Sequence, residues 1–197
     1  TICSGSGSVS ISKTSSAQTI TFKAESYSAT VNGYGGIDLV GTAQGTLTIP
    51  ALKTYTIKYD PNGGQGDTMA NTVVTYGVST NTRKNTYTKT GYDFNNWYVH
   101  RQKDNTWAYV NPSNTSQTGW YVKGQQPSGW ILKYYSNGGS VSKTSSTHGD
   151  IVTFYAQWKA KTYAVTYHAN GGSGAPSNQT KTYGTALTLH TDKPTKT

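Results

Sequence analysis

The sequence predicts a mostly β protein made of tandem small β modules, and three observations carry that reading. Apolar residues make up only 33% of the 197, yet aromatics reach 12%, with sixteen Tyr and five Trp. Thr, Tyr and Val favour strands and Gly and Asn favour turns, whereas helix formers are scarce: Glu25 is the one glutamate and Met69 the one methionine. Finally, KTYTIKYDPNGG at 53–64 returns as KTYAVTYHANGG at 161–172, 108 positions later. Self-similarity on that scale marks a modular array. A disordered polar chain would share the low hydrophobicity and the net charge of +9. Such tails do not alternate aromatic and polar residues in this way.

Residues 1–52 read as a small antiparallel β segment, either a module of its own or the end of an immunoglobulin-like domain. Period-two runs at Ser8–Ser12, Thr19–Ala24, Ile37–Val40 and Thr46–Ile49 predict short strands, with a turn at Gly33–Gly36. Pro50-Ala51-Leu52 is the expected boundary. Cys3 is the only cysteine, so no internal disulfide and no thiolate metal site can form; whether it pairs outside the chain is left open.

The first copy, 53–160, opens with Tyr55–Tyr59, whose odd positions share one face. Asp60-Pro61-Asn62-Gly63-Gly64 stops it: Pro fixes φ, and Asn-Gly-Gly supplies positive φ, expected at Gly63 or Gly64 and again at Gly171 or Gly172. Val73–Gly77 is a second short element. In Gly91–Tyr98, Tyr92, Phe94 and Tyr98 fall on one face with Trp97 off phase, which a bulge would reconcile. Ile151–Trp158 closes the module in the same sheet as Tyr55–Tyr59, with Phe94 and Trp158 expected in the core.

The order Tyr-x-Ile-x-Tyr-x-x-Asn-Gly-Gly (Tyr55 to Gly64), Tyr76-Gly77, Lys-x-Gly-Tyr-x-Phe-x-x-Trp-Tyr (Lys89 to Tyr98) and Phe-Tyr-Ala-Gln-Trp-Lys (Phe154 to Lys159) resembles the internalin B-repeat family, also called the Listeria–Bacteroides repeat. The resemblance covers 53–160 and the front half of a second copy at 161–197. It implies a β-grasp-like module strung in tandem along bacterial surface proteins and gut-phage structural proteins, concerned with adhesion and spacing. The second copy stops at Thr197, before its Gly-Tyr-x-Phe and Tyr-Ala-Gln-Trp strands, so the chain is expected to be a piece of a longer protein. Val165, Tyr167, Leu187 and Leu189 then lack an apolar cover.

The first copy departs from the family by a long insertion at 100–150, with strand-like stretches at Thr106–Val110 and Gly129–Tyr135 and a turn at Asn137–Ser140. A loop this long is usually functional or independently structured. Its aromatics Trp107, Trp120, Tyr121, Trp130, Tyr134 and Tyr135 are the candidate ligand-binding residues, since an aromatic face offers a sugar apolar contact and a polar rim. Burial of the three tryptophans would instead make the insertion a larger core.

No catalytic constellation emerges. The eight acids are isolated beside turns, and His100, His148, His168 and His190 show no metal-ligand spacing, so no cofactor or metal is expected. The glycine-rich turns lack the Lys-Ser/Thr and the helix of a phosphate cradle. Lys and Arg outnumber acids seventeen to eight, but singly spaced; scattered solubilising lysines compete with a polyanion-binding surface. No run of about 18 apolar residues could span a membrane. The reading is therefore a non-catalytic extracellular module of a bacterial surface protein or phage tail or capsid appendage. Its expected partners are neighbouring modules, a cell-surface glycan or other polyanion, and copies of itself in a larger assembly. The alternative is a carbohydrate-binding accessory region of a secreted hydrolase.

Overall fold

The computed structural model describes residues 18–31, 37–49 and 51–196. The chain divides into two compact units, Thr1–Lys53 and Thr54–Thr197. In the first, β1 (Gln18–Val31) and β2 (Ile37–Ile49) form one antiparallel hairpin, paired from Gln18↔Ile49 to Val31↔Ile37 with a bulge between Glu25 and Ser28. The short strands expected at Ile37–Val40 and Thr46–Ile49 are thus one continuous strand. Polar Gly41–Gly45 continues the ladder because main-chain hydrogen bonding does not need apolar side chains. Cys3, Ser8–Ser12 and Gly33–Gly36 lie outside the described residues.

The second unit is built on a mixed sheet ordered β4-β3-β12-β6-β7-β8. Here β3 is Thr54–Asp60, β4 Thr72–Thr75, β6 Tyr92–Arg101, β7 Thr106–Asn111, β8 Asn114–Tyr121 and β12 Ile151–Ala160. The repeat's first and last strands, β3 and β12, are parallel neighbours from Thr56↔Ile151 to Asp60↔Tyr155. Tyr55, Ile57 and Tyr59 are buried on one face of β3, as the alternation requires. They meet Val152, Phe154 and Ala156 of β12 and Trp97 and Val99 of β6 in a single core. Tyr59 sits 5.4 Å from Trp97 and 5.9 Å from Phe154, ring to ring.

The expected bulge in β6 is present. Gln157 pairs with Asn96 but Trp158 pairs with Phe94, so Asn95 is the extra residue. It returns Phe94 to the face of Trp97, their rings 4.9 Å apart, while Tyr98 goes to the opposite face. Trp97 is fully buried; Phe94 and Trp158 are half-buried at the edge of the core rather than inside it.

Residues 100–150 are built into the same unit by strand pairing. Strands β9 (Ile131–Leu132) and β10 (Tyr134–Tyr135) pair with β7 and β6, and β11 (Ser140–Val141) pairs with β5 (Thr80–Asn81). The Gly77 and Thr82 amides donate to the carbonyls of Ser142 (2.7 Å) and Gly139 (2.9 Å). The stretch expected as one strand at 129–135 is broken at Lys133, whose amide donates across to Ala108 O at 2.8 Å. Asp150, ahead of β12, is buried and accepts from Ser145 Oγ (2.6 Å) and from the Ile151 amide (2.8 Å).

The second copy folds like the first. Its strands β13 (Thr162–Val165) and β14 (Gln179–Thr182) pair in the register of β3 and β4: Thr162↔Thr182 answers Thr54↔Thr75, and Val165↔Gln179 answers Ile57↔Thr72. Asn62 and Gly63 have φ of 46° and 79°, Asn170 and Gly171 47° and 84°. The turn amides of Gly64 and Gly172 donate to Pro61 O and Ala169 O at 2.9 Å. Two positive φ values and an i to i+3 bond define a type I′ turn. In both copies a tyrosine hydroxyl then pins the following loop. Tyr59 Oη meets Thr72 Oγ1 at 2.9 Å and accepts from the Arg83 amide at 2.8 Å; Tyr167 Oη donates to Gln179 Oε1 and accepts from the His190 amide at 3.2 Å.

Candidate functional site

Two places in the 54–197 unit combine exposed aromatic surface with defined polar geometry. The first is the joint between copies. The β12–β6 ladder runs on through Lys161, whose amide donates to Gly91 O at 2.9 Å, and the Tyr183 amide donates to Lys161 O at 2.9 Å. The Tyr183 ring lies where a Cβ on Gly91 would stand and meets the Tyr92 ring edge-on at 5.6 Å. Gly91, at φ 77°, is needed for both its backbone angle and this approach. Lys161 Nζ stands 3.6 Å from Asp93, a solvent-exposed pair that adds little. Tyr76, the counterpart of Tyr183 in the first copy, is exposed.

The second place is where the 100–150 segment meets β6 and β12. The six aromatic candidates do not form one platform. Trp107 is half-buried on the sheet face opposite the core, beside His100 at 4.8 Å and Tyr155 at 5.2 Å. Tyr121 pairs with it across β7–β8 and stands edge-on between Tyr109 (6.1 Å) and Trp130 (5.8 Å). Trp120 falls on the other face, where the Arg101 guanidinium lies 4.3 Å over its ring. Arg101 is itself held by Asp104 at 2.6 Å. Tyr135 packs on Phe154 at 5.5 Å, with Lys133 Nζ 5.1 Å over its ring, and burial pushes its hydroxyl up to about 12. Neighbouring Tyr55 adds to that rise and Arg101 opposes it. Trp120 and Tyr135 line a cleft of about 300 Å³ closed by Ser140–Thr144. Tyr134 is exposed beside Val110 and Ile131 in another of about 260 Å³.

Trp107 belongs to a cleft of about 390 Å³ that it shares with Tyr98, Leu132, Tyr155, Asn62, Gln157 and Lys123. Four of these, Asn62, Tyr98, Tyr155 and Gln157, come from outside the 100–150 segment and were not among the sequence candidates. The signal was available: in Phe154-Tyr155-Ala156-Gln157 the alternation that buries Phe154 turns Tyr155 and Gln157 outward. Tyr155 ionises above the ordinary tyrosine range, first because of burial and then because of the Asp60 carboxylate, with a hydrogen bond from Thr153 opposing. Among the described residues no three His, Cys, Asp or Glu side chains converge on a metal position, and no helix is long and apolar enough to cross a membrane.

Repeated ladders, turns and tyrosine clamps joined by a fixed contact define a tandem β-repeat protein. The model of the Listeria-Bacteroides repeat domain matches residues 55–123 and 163–197, one segment in each copy. The chain belongs to that family of surface-associated repeat domains. No curated protein and no solved structure matches it.

Proposed function

We propose that the chain is a non-catalytic spacing and presenting segment of a bacterial surface protein or of a phage tail or capsid appendage, acting outside the cell. The observation that supports this best is the joint at Gly91 and Tyr183. Each copy repeats the same backbone geometry, and the second is seated on the first by a main-chain hydrogen bond from Lys161 to Gly91 and an aromatic contact. Units coupled in this way stack into a stiff rod whose length scales with copy number. The absence of catalysis is read from the family, whose domains are generally non-catalytic, and from the isolated placing of the acids.

The mechanical half is tested by spin labels at Lys58 and Thr166, one exposed position in each copy. A narrow distance distribution that broadens in Tyr183→Ala is expected; an equally broad distribution in the unaltered chain would defeat the spacer role. The location is tested by labelling intact producing cells or virions with an impermeant antibody against 54–197. Labelling only after lysis would overturn it.

A further inference from the structure

We propose that the Trp107–Tyr155 cleft is a binding site for neutral pyranose oligosaccharides. This goes beyond the spacing role, since a spacer need bind no sugar.

A sheet face turned to water normally carries polar side chains. Here three neighbouring strands place aromatics on it in register: Tyr155 directly opposite Tyr98, and His100 directly opposite Trp107. Tyr98, Trp107 and Tyr155 are each half-buried and belong to no part of the core. Trp107 and Tyr155 lie 5.2 Å apart at 35°, an offset stack that leaves an outer ring face and the ring edges for the cleft. Their cleft, about 390 Å³, lies within the range of small-ligand sites and suits a short run of sugar rings.

The rim supplies what a sugar's edge requires. Asn62 Nδ2 donates to Ala156 O at 2.9 Å, and Gln157 Nε2 donates to Tyr155 O at 3.1 Å. Each amide is pinned by the main chain, which leaves its carbonyl oxygen as a positioned acceptor for a hydroxyl. Lys123, exposed at the rim, brings donors. A pyranose has an apolar C–H face and a hydroxyl edge, so ring face and rim together match it where neither would alone. The charge balance selects a neutral sugar. Lys123 is the single cation lining the cleft, and the Asp60 carboxylate, near enough to oppose ionisation of Tyr155, also opposes a bound anion. Trp107, Lys123 and Leu132 come from the 100–150 segment and Asn62, Tyr98, Tyr155 and Gln157 from the strands and turn around it, so the site needs both.

The test titrates the full chain with neutral oligosaccharides of glucose, mannose, galactose and N-acetylglucosamine, read by tryptophan fluorescence and saturation-transfer NMR. At least one should bind saturably, with little change between low and high salt. Trp107→Ala and Tyr155→Ala should each weaken it about tenfold or more. Should Trp107→Ala fail to fold, Lys123→Ala and Gln157→Ala, on the rim and outside the core, decide: each should weaken binding several-fold with an unchanged circular dichroism spectrum. Failure of every neutral oligosaccharide to bind overturns the proposal. So does sugar binding that survives these substitutions. Capture of heparin or of a proline-rich peptide in place of neutral sugar overturns it as well.

Discussion

Gly64 and Gly172 serve a different purpose from the positive-φ glycines that precede them. A Cβ on Gly64 would stand 2.5 Å from the Trp158 indole and 3.0 Å from the carbonyls of Pro61 and Thr88. The open space lets Trp158 lie over the turn and donate from Nε1 to Pro61 O at 2.9 Å. Gly64→Ala should therefore cost about 1–3 kcal/mol by overpacking. A lowered melting temperature and a red-shifted tryptophan spectrum would register it, whereas an unchanged spectrum would mean the indole is not seated there. Tyr135 sets a pH limit. Its folded pKa of about 12 exceeds the ordinary tyrosine value of 10.0. The fold therefore holds the proton more tightly than the unfolded chain. That stabilisation is complete below about pH 10 and lost as pH rises towards about 12. Denaturant unfolding across this window should show falling stability, and Tyr135→Phe, which keeps the ring, should flatten the fall. The positive φ at Gly63 and Gly171 was legible because Asn-Gly-Gly follows a strand in both copies. The contact between Gly91 and Tyr183 was not, since it joins residues of different copies that no local pattern links.

At the scale of the element, alternation located β3, β6 and β12 because each has one face against the core, whereas β7 is buried on both faces from Ala108 to Val110. Alternation missed β8, Asn114–Tyr121, whose first five residues are all exposed and polar. An edge strand without a buried face is held by its ladder alone and leaves no hydrophobic period to read. The bulge at Asn95 ranks the aromatics. Trp97→Ala removes a fully buried indole and should cost about 3–5 kcal/mol. Trp158→Ala and Phe94→Ala should cost clearly less, because part of each ring already faces water. Equal losses in thermal melts would show that the bulge does not divide them as described. The six insertion aromatics were found as a set, but their partition between two sheet faces depends on a register that only the folded ladders supply.

Across the molecule, the two copies share a backbone yet differ in cover. Tyr55 is buried at 1%, whereas its counterpart Tyr163 is exposed at 48% and Leu189 at 56%. Among the described residues β13 pairs only with β14, while β3 lies between β4 and β12. Amides of β13 and β14 should exchange with solvent well before those of β3 and β12, since local opening there releases little buried surface. Equal protection by hydrogen exchange would show that the second copy is as firmly packed as the first. The parallel pairing of β3 and β12 has a further consequence, one of mechanics. The chain enters the first repeat at Thr54, the start of β3, and leaves it at Ala160, the end of β12. Tension along the chain pulls two parallel neighbours past each other in opposite directions, so their cross-strand hydrogen bonds are loaded together instead of one at a time. A tether under flow or drag would then resist unravelling out of proportion to its thermal stability. Pulling a single molecule from residues 54 and 160 should give a higher rupture force than pulling it from Thr54 and Thr75, which unzips β3 from β4 at its end pair.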